Sequence, residues 1–229
     1  MASQDENYLT SHPKPGSTFV DCSTVYPTTT EENARKAQQA SVYYLASPVF
    51  GRPDLAAAKK LVVVTAGTPD AKPKVKPYQE AMGRAVLDVG ERPQLANVAK
   101  LTGNFCISSI IEMLGEAMTL ADKNGLDRKH LVAIIDELFP SPIIHSYVTQ
   151  MAADRFQPTP ENPGFHVRLA LKDLGHILRL GQKSGAPLPV AEIMMGHLKD
   201  QAAAGREEYD WAAIALSVRK AAGIKASEE

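Results

Sequence analysis

Lys100 and Asn104 are the two residues of this sequence whose types and spacing best suit chemistry. They lie four positions apart in ANVAKLTGNF, residues 96–105, where most other residues are small or apolar. Side chains at positions i and i+4 meet on one face of a helix. A half-buried lysine can act as a general acid or base near neutral pH, and an asparagine one turn away could orient a substrate hydroxyl or carbonyl. A lysine that extends its ammonium to the surface beside a solvated asparagine fits the same pattern.

Two further polar segments are candidates for ligand binding. DCSTVYP, residues 21–27, places Ser23 and Thr24 after a β-favouring run, and α/β proteins bind ligands at the carboxyl ends of their strands. LKDLGHIL, residues 171–178, belongs to a helical pattern with a basic face made of Arg168, Lys172, His176, Arg179 and Lys183. A strand end, a turn and a helix cap already explain the composition of the first segment, and a solvated basic face is the first explanation of the second.

Composition excludes several classes of function. The 229 residues have a net charge of -1, which argues against nucleic-acid binding, and no apolar run reaches the ~18 residues of a membrane span. The six histidines have no metal-ligand spacing, and no Gly-x-Ser-x-Gly hydrolase motif occurs. Cys22 and Cys106 are predicted to be reduced. The sequence therefore predicts a soluble cytoplasmic protein without a metal site.

The first part of the chain alternates strand and helix patterns. A helix is expected from residue 28, started by a capping box of Thr28 and Thr29 with Glu31 and Glu32. Near-continuous apolar strands separated by helices predict an α/β sheet that is covered on both faces. The predicted strands are residues 18–21, 42–47, 60–67 and 84–90.

From Pro93 onward the pattern of apolar residues is typical of helices. A single long and mostly buried helix is predicted to end at Gly125, and five further helical segments follow it. We therefore predict an α/β domain at residues 1–92 and an all-helical domain at residues 93–229.

Four segments, taken in order, resemble the β-hydroxyacid dehydrogenase family, which includes the 3-hydroxyisobutyrate dehydrogenases. They are FVDCSTVYP, ASPVFGRPDLAAAKKLVVVTAG, VAKLTGNF with EAMTLADKNGLD, and LALKDLGHILRLGQKSGAPLP. The resemblance runs from about Thr18 to about Lys220. It implies a Rossmann-like domain and a 6-phosphogluconate dehydrogenase C-terminal-like helical domain. It also implies hydride transfer between NAD or NADP and a 3-hydroxy acid or related carbonyl.

The resemblance also implies roles for individual residues. Lys100 matches the catalytic lysine, which is the general base in oxidation and the general acid in reduction, and Asn104 matches the asparagine that holds the substrate. Thr24 matches a threonine near the nicotinamide ribose, and Lys172 matches a lysine that reaches the cofactor. The helical domain of this family usually forms a homodimer, so a small-molecule substrate and a second copy of the chain are the implied partners.

One departure from the family lies at the substrate anchor. The family has a Ser-Gly-Gly element that binds the substrate carboxylate, and here the corresponding residues are Phe50, Gly51 and Arg52. Phe50 offers no hydrogen bond. Arg52 could replace the anchor as a bidentate partner of a carboxylate. An altered substrate preference is therefore expected, with Gly51 and Arg52 near the substrate.

The second departure lies at the cofactor. The family opens with a strand, a Gly-x-Gly-x-x-Gly loop and a helix whose N-terminus binds the pyrophosphate, and the 15 glycines of this chain show no such spacing. We therefore expect a Rossmann-like domain that lacks its first half. Two hypotheses follow: an oxidoreductase that is impaired by this loss, or a non-catalytic, dimerising remnant of such an enzyme.

Overall fold

A computed structural model describes residues 14–224 of the chain. The chain divides into two compact units between residues 103 and 104, which we call the α/β unit and the helical unit. The long helix Gln94–Lys123 contributes residues to both. The domain boundary expected between residues 92 and 93 stays a prediction.

Residues 14–93 of the α/β unit form five strands and three helices. In chain order they are β1 (Thr18–Asp21), α1 (Pro27–Gln39), β2 (Tyr43–Ala46), β3 (Val49–Phe50), α2 (Pro53–Ala57), β4 (Leu61–Gly67), α3 (Lys72–Met82) and β5 (Gly83–Asp88). A 3-10 turn at residues 69–71 precedes α3. The four predicted strands all form, and β3 is an addition.

The sheet is mixed, with β4 as its central strand. The order is β1-β2-β4-β3, and β5 also pairs with β4. The β1–β2 and β4–β5 pairs are parallel, whereas β2 and β3 both run antiparallel to β4. Between β2 and β3 lies Pro48, which has no N–H to give to a ladder, so the two segments pair with successive parts of β4. The central position of β4 explains its apolar sequence, since almost all of its residues are buried.

Helix α1 begins in a different way from the one predicted. Tyr26 is its N-cap residue, Pro27 occupies the first turn, and no side chain caps the helix. Proline is favoured at this position because its φ is already helical and it has no N–H to satisfy. The helix therefore starts ahead of Thr28 and Thr29, and the predicted capping box is wrong.

The helical unit continues from α4 (Gln94–Lys123) with α5 (Arg128–Leu138), α6 (Pro142–Ala152), α7 (Val167–Ser184), α8 (Pro189–Ala203) and α9 (Ile214–Ala221). Gly125 has a φ of +71° just after α4, as the predicted stop requires. The core of the helical unit is formed by fully buried side chains, among them Leu114, Met118, Met151, Leu174, Met194, Leu198 and Ile214.

Together the two units confirm the predicted fold class, a partial Rossmann-like α/β unit followed by an all-helical unit. None of the helices within residues 14–224 combines the length and the apolar character needed to cross a membrane.

Candidate active site

Lys100 is a buried lysine whose ammonium stands against an aromatic ring. Its side chain lies in α4 and is 8% exposed, and its Nζ is 4.1 Å from the centroid of the Phe50 ring. This is the geometry of a cation–π interaction. Burial contradicts the interpretation in which this lysine extends to the surface.

The backbone around Phe50 explains why its ring can reach Lys100. Phe50 ends β3, where it pairs with Val62 of β4. On the α4 side, a Cβ at Gly103 would overlap Cζ of Phe50. The absence of a side chain at Gly103 therefore makes room for the ring.

The predicted substrate anchor forms the turn from β3 into α2. Gly51 has a φ of +135°, a conformation that favours glycine, and a Cβ there would lie 2.6 Å from Cδ2 of Leu61. Arg52 is half-buried and precedes Pro53, the first residue of α2. The chain therefore holds Arg52 beside the strand that carries Phe50.

The loop with Thr24 is tied to α4 by Asn97, a residue that the sequence analysis missed. The buried carboxamide of Asn97 accepts a hydrogen bond from the backbone N–H of Val25 at 3.1 Å and donates one to Oγ1 of Thr30 at 2.9 Å. Asn97 precedes Lys100 by three residues, so one turn of α4 carries both the buried ammonium and the anchor of this loop. An amide in an otherwise apolar helical stretch was the signal available in the sequence.

Asp21 fixes the other end of the same loop. Its Oδ1 accepts a hydrogen bond from the N–H of Ser23 at 2.9 Å, and its Oδ2 accepts one from the hydroxyl of Tyr44 at 2.8 Å. Burial, and then the neighbouring Asp21 carboxylate, raise the pKa of Tyr44, so its phenol remains a proton donor in this bond. Thr24 is thus held between two anchored neighbours.

Asn104 and Lys172 meet at one carboxylate of the helical unit. Asn104 is 4% exposed, and its Nδ2 donates a hydrogen bond of 2.7 Å to Oδ2 of Asp173. Nζ of Lys172 lies 3.1 Å from Oδ1 of the same aspartate. Asp173 therefore links the residue expected to hold the substrate to the one expected to reach the cofactor.

Asp173 was missed because its segment was interpreted as a basic face. It is buried on the side of α7 that carries Val167, Ala170, Leu174, Ile177 and Gly181. A carboxylate within that apolar stripe was the available signal. His176, on the more polar side of α7, has a lowered pKa because of partial burial and the nearby Lys172. Arg168 forms an ion pair with Glu208, with 2.6 Å between Nε and Oε1.

The side chains present fit the nicotinamide end of a dinucleotide better than its pyrophosphate. In the α/β unit the Lys100 ammonium and the Thr24 hydroxyl are groups that suit proton transfer and a ribose hydroxyl. Taken by itself, the helical unit offers the Lys172 ammonium, a group that suits a phosphate. However, α1, α2 and α3 each have a proline in the first helical turn. None of the three helices follows a glycine-rich loop, which would direct backbone N–H groups toward a pyrophosphate. The described residues of the α/β unit therefore contain no such cradle, and residues 14–224 contain no group of three or more metal-ligating side chains.

Comparison with known proteins extends over nearly the whole chain. The family model of the NAD-binding domain of 6-phosphogluconate dehydrogenase matches residues 1–90, and that of the NAD-binding domain of NADP-dependent 3-hydroxyisobutyrate dehydrogenase matches residues 95–218. The oxidoreductase YfjR of Bacillus subtilis is 34% identical over 87% of this chain and 68% of its own length. The NADH-dependent oxidoreductase ucdB of Aspergillus ustus is 32% identical over 90% of this chain and 69% of its own.

A solved structure shows the same arrangement of elements. The 3-hydroxyisobutyrate dehydrogenase of Mycobacterium tuberculosis, with L-serine, aligns with a TM-score of 0.78 at 25% identity, over 90% of this chain and 71% of that one. Sequence and structural matches agree along both units. The chain therefore belongs to the β-hydroxyacid dehydrogenase family, a family of oxidoreductases that use NAD or NADP.

Proposed function

We propose that this chain interconverts a 3-hydroxy acid, or a related alcohol, and its carbonyl with NAD or NADP, and that Lys100 is its general acid and base. The observation that carries this proposal is the burial of the Lys100 ammonium on a helix that matches the family. When bound, a nicotinamide cofactor supplies or accepts the hydride. In reduction the ammonium of Lys100 donates a proton to the carbonyl oxygen, and in oxidation its amine takes the hydroxyl proton.

The other site residues receive binding roles in this proposal. The anchoring of the loop through Asn97 supports a fixed position for the Thr24 hydroxyl, which we assign to the cofactor ribose. The carboxylate of Asp173 orients the Asn104 amide, which we assign to the substrate. It also restrains Lys172, which we assign to a cofactor phosphate.

Arg52, with the turn at Gly51, is our proposed anchor for a substrate carboxylate. The guanidinium can bind both carboxylate oxygens at once, which an ammonium cannot do. An Arg52→Ala variant should raise KM for acidic substrates about tenfold and leave KM for neutral carbonyls unchanged, and Arg52→Lys should recover only part of the loss. Unchanged affinity of Arg52→Ala for an acidic substrate would contradict this anchor.

A homodimer through the helical unit completes the proposal. Large apolar side chains are exposed on this unit, including Leu120 on α4, 68% exposed, and Leu138 on α5, 65% exposed. Leu120→Glu or Leu138→Glu should therefore lower the molar mass seen by light scattering from two chains to one. Tyr78→Glu is the matched control, because Tyr78 is 72% exposed on the α/β unit.

Cofactor titration tests the proposed function directly. NADH and NADPH are added separately while the fluorescence of the single tryptophan, Trp211, and the melting temperature are recorded. Saturable binding of either cofactor, with turnover of a 3-hydroxy acid or its carbonyl, is the expected result. A chain that binds neither cofactor up to millimolar concentration would instead be the non-catalytic, dimerising remnant.

A further inference from the structure

The contact between Lys100 and Phe50 differs from the other lysine–aromatic contact described in the α/β unit. Lys74, which is exposed, lies 5.3 Å from the ring centroid of Tyr43. Lys100 lies 4.1 Å from the ring centroid of Phe50 and is buried. Lys100 is also the only charged side chain that is buried among residues 14–103. The one buried charge among these residues thus lies over the face of the Phe50 ring.

Such a placement has a physical consequence for a proton donor. Burial removes water from an ammonium and disfavours its charged form. The face of an aromatic ring carries negative charge density, so it returns part of the lost stabilisation to a cation and does so only for a cation above that face. A ring at this position therefore stabilises the charged form of Lys100 and restricts where its Nζ can lie.

Phe50 is itself held on two sides. Pairing of β3 with β4 sets its backbone, and the Cβ-free surface at Gly103 receives the edge of its ring. Both restraints keep the ring face toward Nζ.

We propose that Phe50 is a positioning residue that holds the Lys100 ammonium over its ring as the proton donor for carbonyl reduction. This inference rests on the proposed function, since Lys100 must be the acid. It assigns a role to Phe50 beyond the loss of a hydrogen-bonding anchor. Reduction should depend on the electron density of the ring and not only on its volume.

Substitution at Phe50 separates these two properties. Phe50→Leu keeps an apolar side chain but removes the ring face, and it should lower kcat for reduction about tenfold with little change in KM for the cofactor. Phe50→Tyr retains the face and should stay within about twofold of wild type. Gly103→Ala should also lower kcat, because its methyl group displaces the ring.

Fluorinated phenylalanines provide a second experiment, in which the shape of the side chain is almost unchanged. One, two and three ring fluorines incorporated at position 50 withdraw electron density stepwise, and kcat for reduction should fall stepwise with them. Tyr43→Leu is the matched control, since it removes the Lys74 contact without touching the site, and its kcat should equal that of wild type.

The outcomes separate the two proposals. Turnover by wild type together with an unchanged kcat in Phe50→Leu and in the fluorinated series would overturn the role of Phe50 and leave the proposed function standing. A wild-type chain that turns over no carbonyl with either cofactor would overturn the proposed function and this inference with it. A stepwise decline with fluorine number, and no decline in Tyr43→Leu, is the result that supports it.

Discussion

The two units bury polar side chains in different ways. In the α/β unit most of them are neutral and bond to one another or to backbone, as do Asn97, Thr30, Ser47, Thr65 and Gln79. Among residues 104–224 of the helical unit six are also neutral, but four are charged and have ionic or hydrogen-bonding partners, namely Glu112, Asp173, Asp210 and Arg219. Lys100 departs from the pattern of its own unit. A buried charge is costly, and this one belongs to the residue to which we assign proton transfer.

Replacement of Lys100 should cause the largest loss of activity among the variants that test this contrast. Lys100→Met keeps the length of an apolar side chain and removes the proton donor, so turnover should fall about 10³-fold. Steady-state rates measure turnover, and urea unfolding shows whether the variant is folded.

Lys74→Met is the control for this variant, since Lys74 also lies over a ring but is exposed. It should leave turnover unchanged. A Lys100→Met protein that retains more than a tenth of wild-type turnover would show that the buried ammonium is not the acid.

Replacement of Arg219 should act mainly on the stability of the helical unit. Its guanidinium is buried, pairs with Asp154 and donates a hydrogen bond to the carbonyl of Met151. Arg219→Met removes the buried one of the two cations that contact Asp154 and the donor to the Met151 carbonyl, and we expect a loss of about 3 kcal/mol in the free energy of unfolding. Thermal and urea unfolding provide the measurement.

Arg128 offers the matched comparison, because it also pairs with Asp154 and has a more exposed side chain. Arg128→Met should cost less than Arg219→Met. Equal losses in the two variants would mean that burial does not set the importance of these charges in the helical unit.

Asn97 tests the neutral network of the α/β unit. Asn97→Ala leaves the Val25 N–H and the Thr30 hydroxyl without their partner, which should cost about 1 to 2 kcal/mol of unfolding free energy. It should also raise KM for the cofactor, because the loop with Thr24 loses its tie to α4. Asn97→Asp keeps an acceptor for the Val25 N–H, so it should retain a lower KM than Asn97→Ala; equal KM values in the two variants would contradict a loop-positioning role.

The elements of the fold were predictable where a single local pattern determined them. The apolar run of β4 and the long stretch of α4, with its stop at Gly125 just after Lys123, were both identified from sequence. Start signals were ambiguous, because a capping box and a proline at the first helical position compete within three residues, and Pro27 determined where α1 begins. The two-residue strand β3 is too short for any periodicity to reveal.

The candidate site was predictable only where residue type alone was unusual. Lys100 and Asn104 stand out in an apolar helix, and the family resemblance supplied their roles. Asp173 and Asn97 did not stand out, because their importance lies in contacts with residues about 70 positions away in the chain. Long-range partners of this kind follow from the packing of elements and not from spacing along one of them.

The smallest effect concerns pH and the Glu112–His197 pair of the helical unit. Nδ1 of His197 lies 2.7 Å from Oε1 of the buried Glu112. This hydrogen bond is the main cause of a raised pKa at His197, while partial burial opposes it. A histidine whose pKa is higher in the folded state adds stability that is complete below its ordinary value of 6.5 and is lost as pH rises through the folded value.

Glu112→Gln should therefore destabilise the protein most near pH 6, by about 1 kcal/mol, and progressively less toward pH 9. The exposed pair of His145 with Asp136 is the matched control, and Asp136→Asn should cost little at any pH, since water screens such pairs. Urea unfolding at intervals of one pH unit measures both series. A loss in Glu112→Gln that is flat across this range would show that the pair acts through packing. Equal slopes in the two variants would show that burial adds nothing to the ionic contact, and the contrast between the charges of the helical unit and Lys100 would then rest on Arg219 alone.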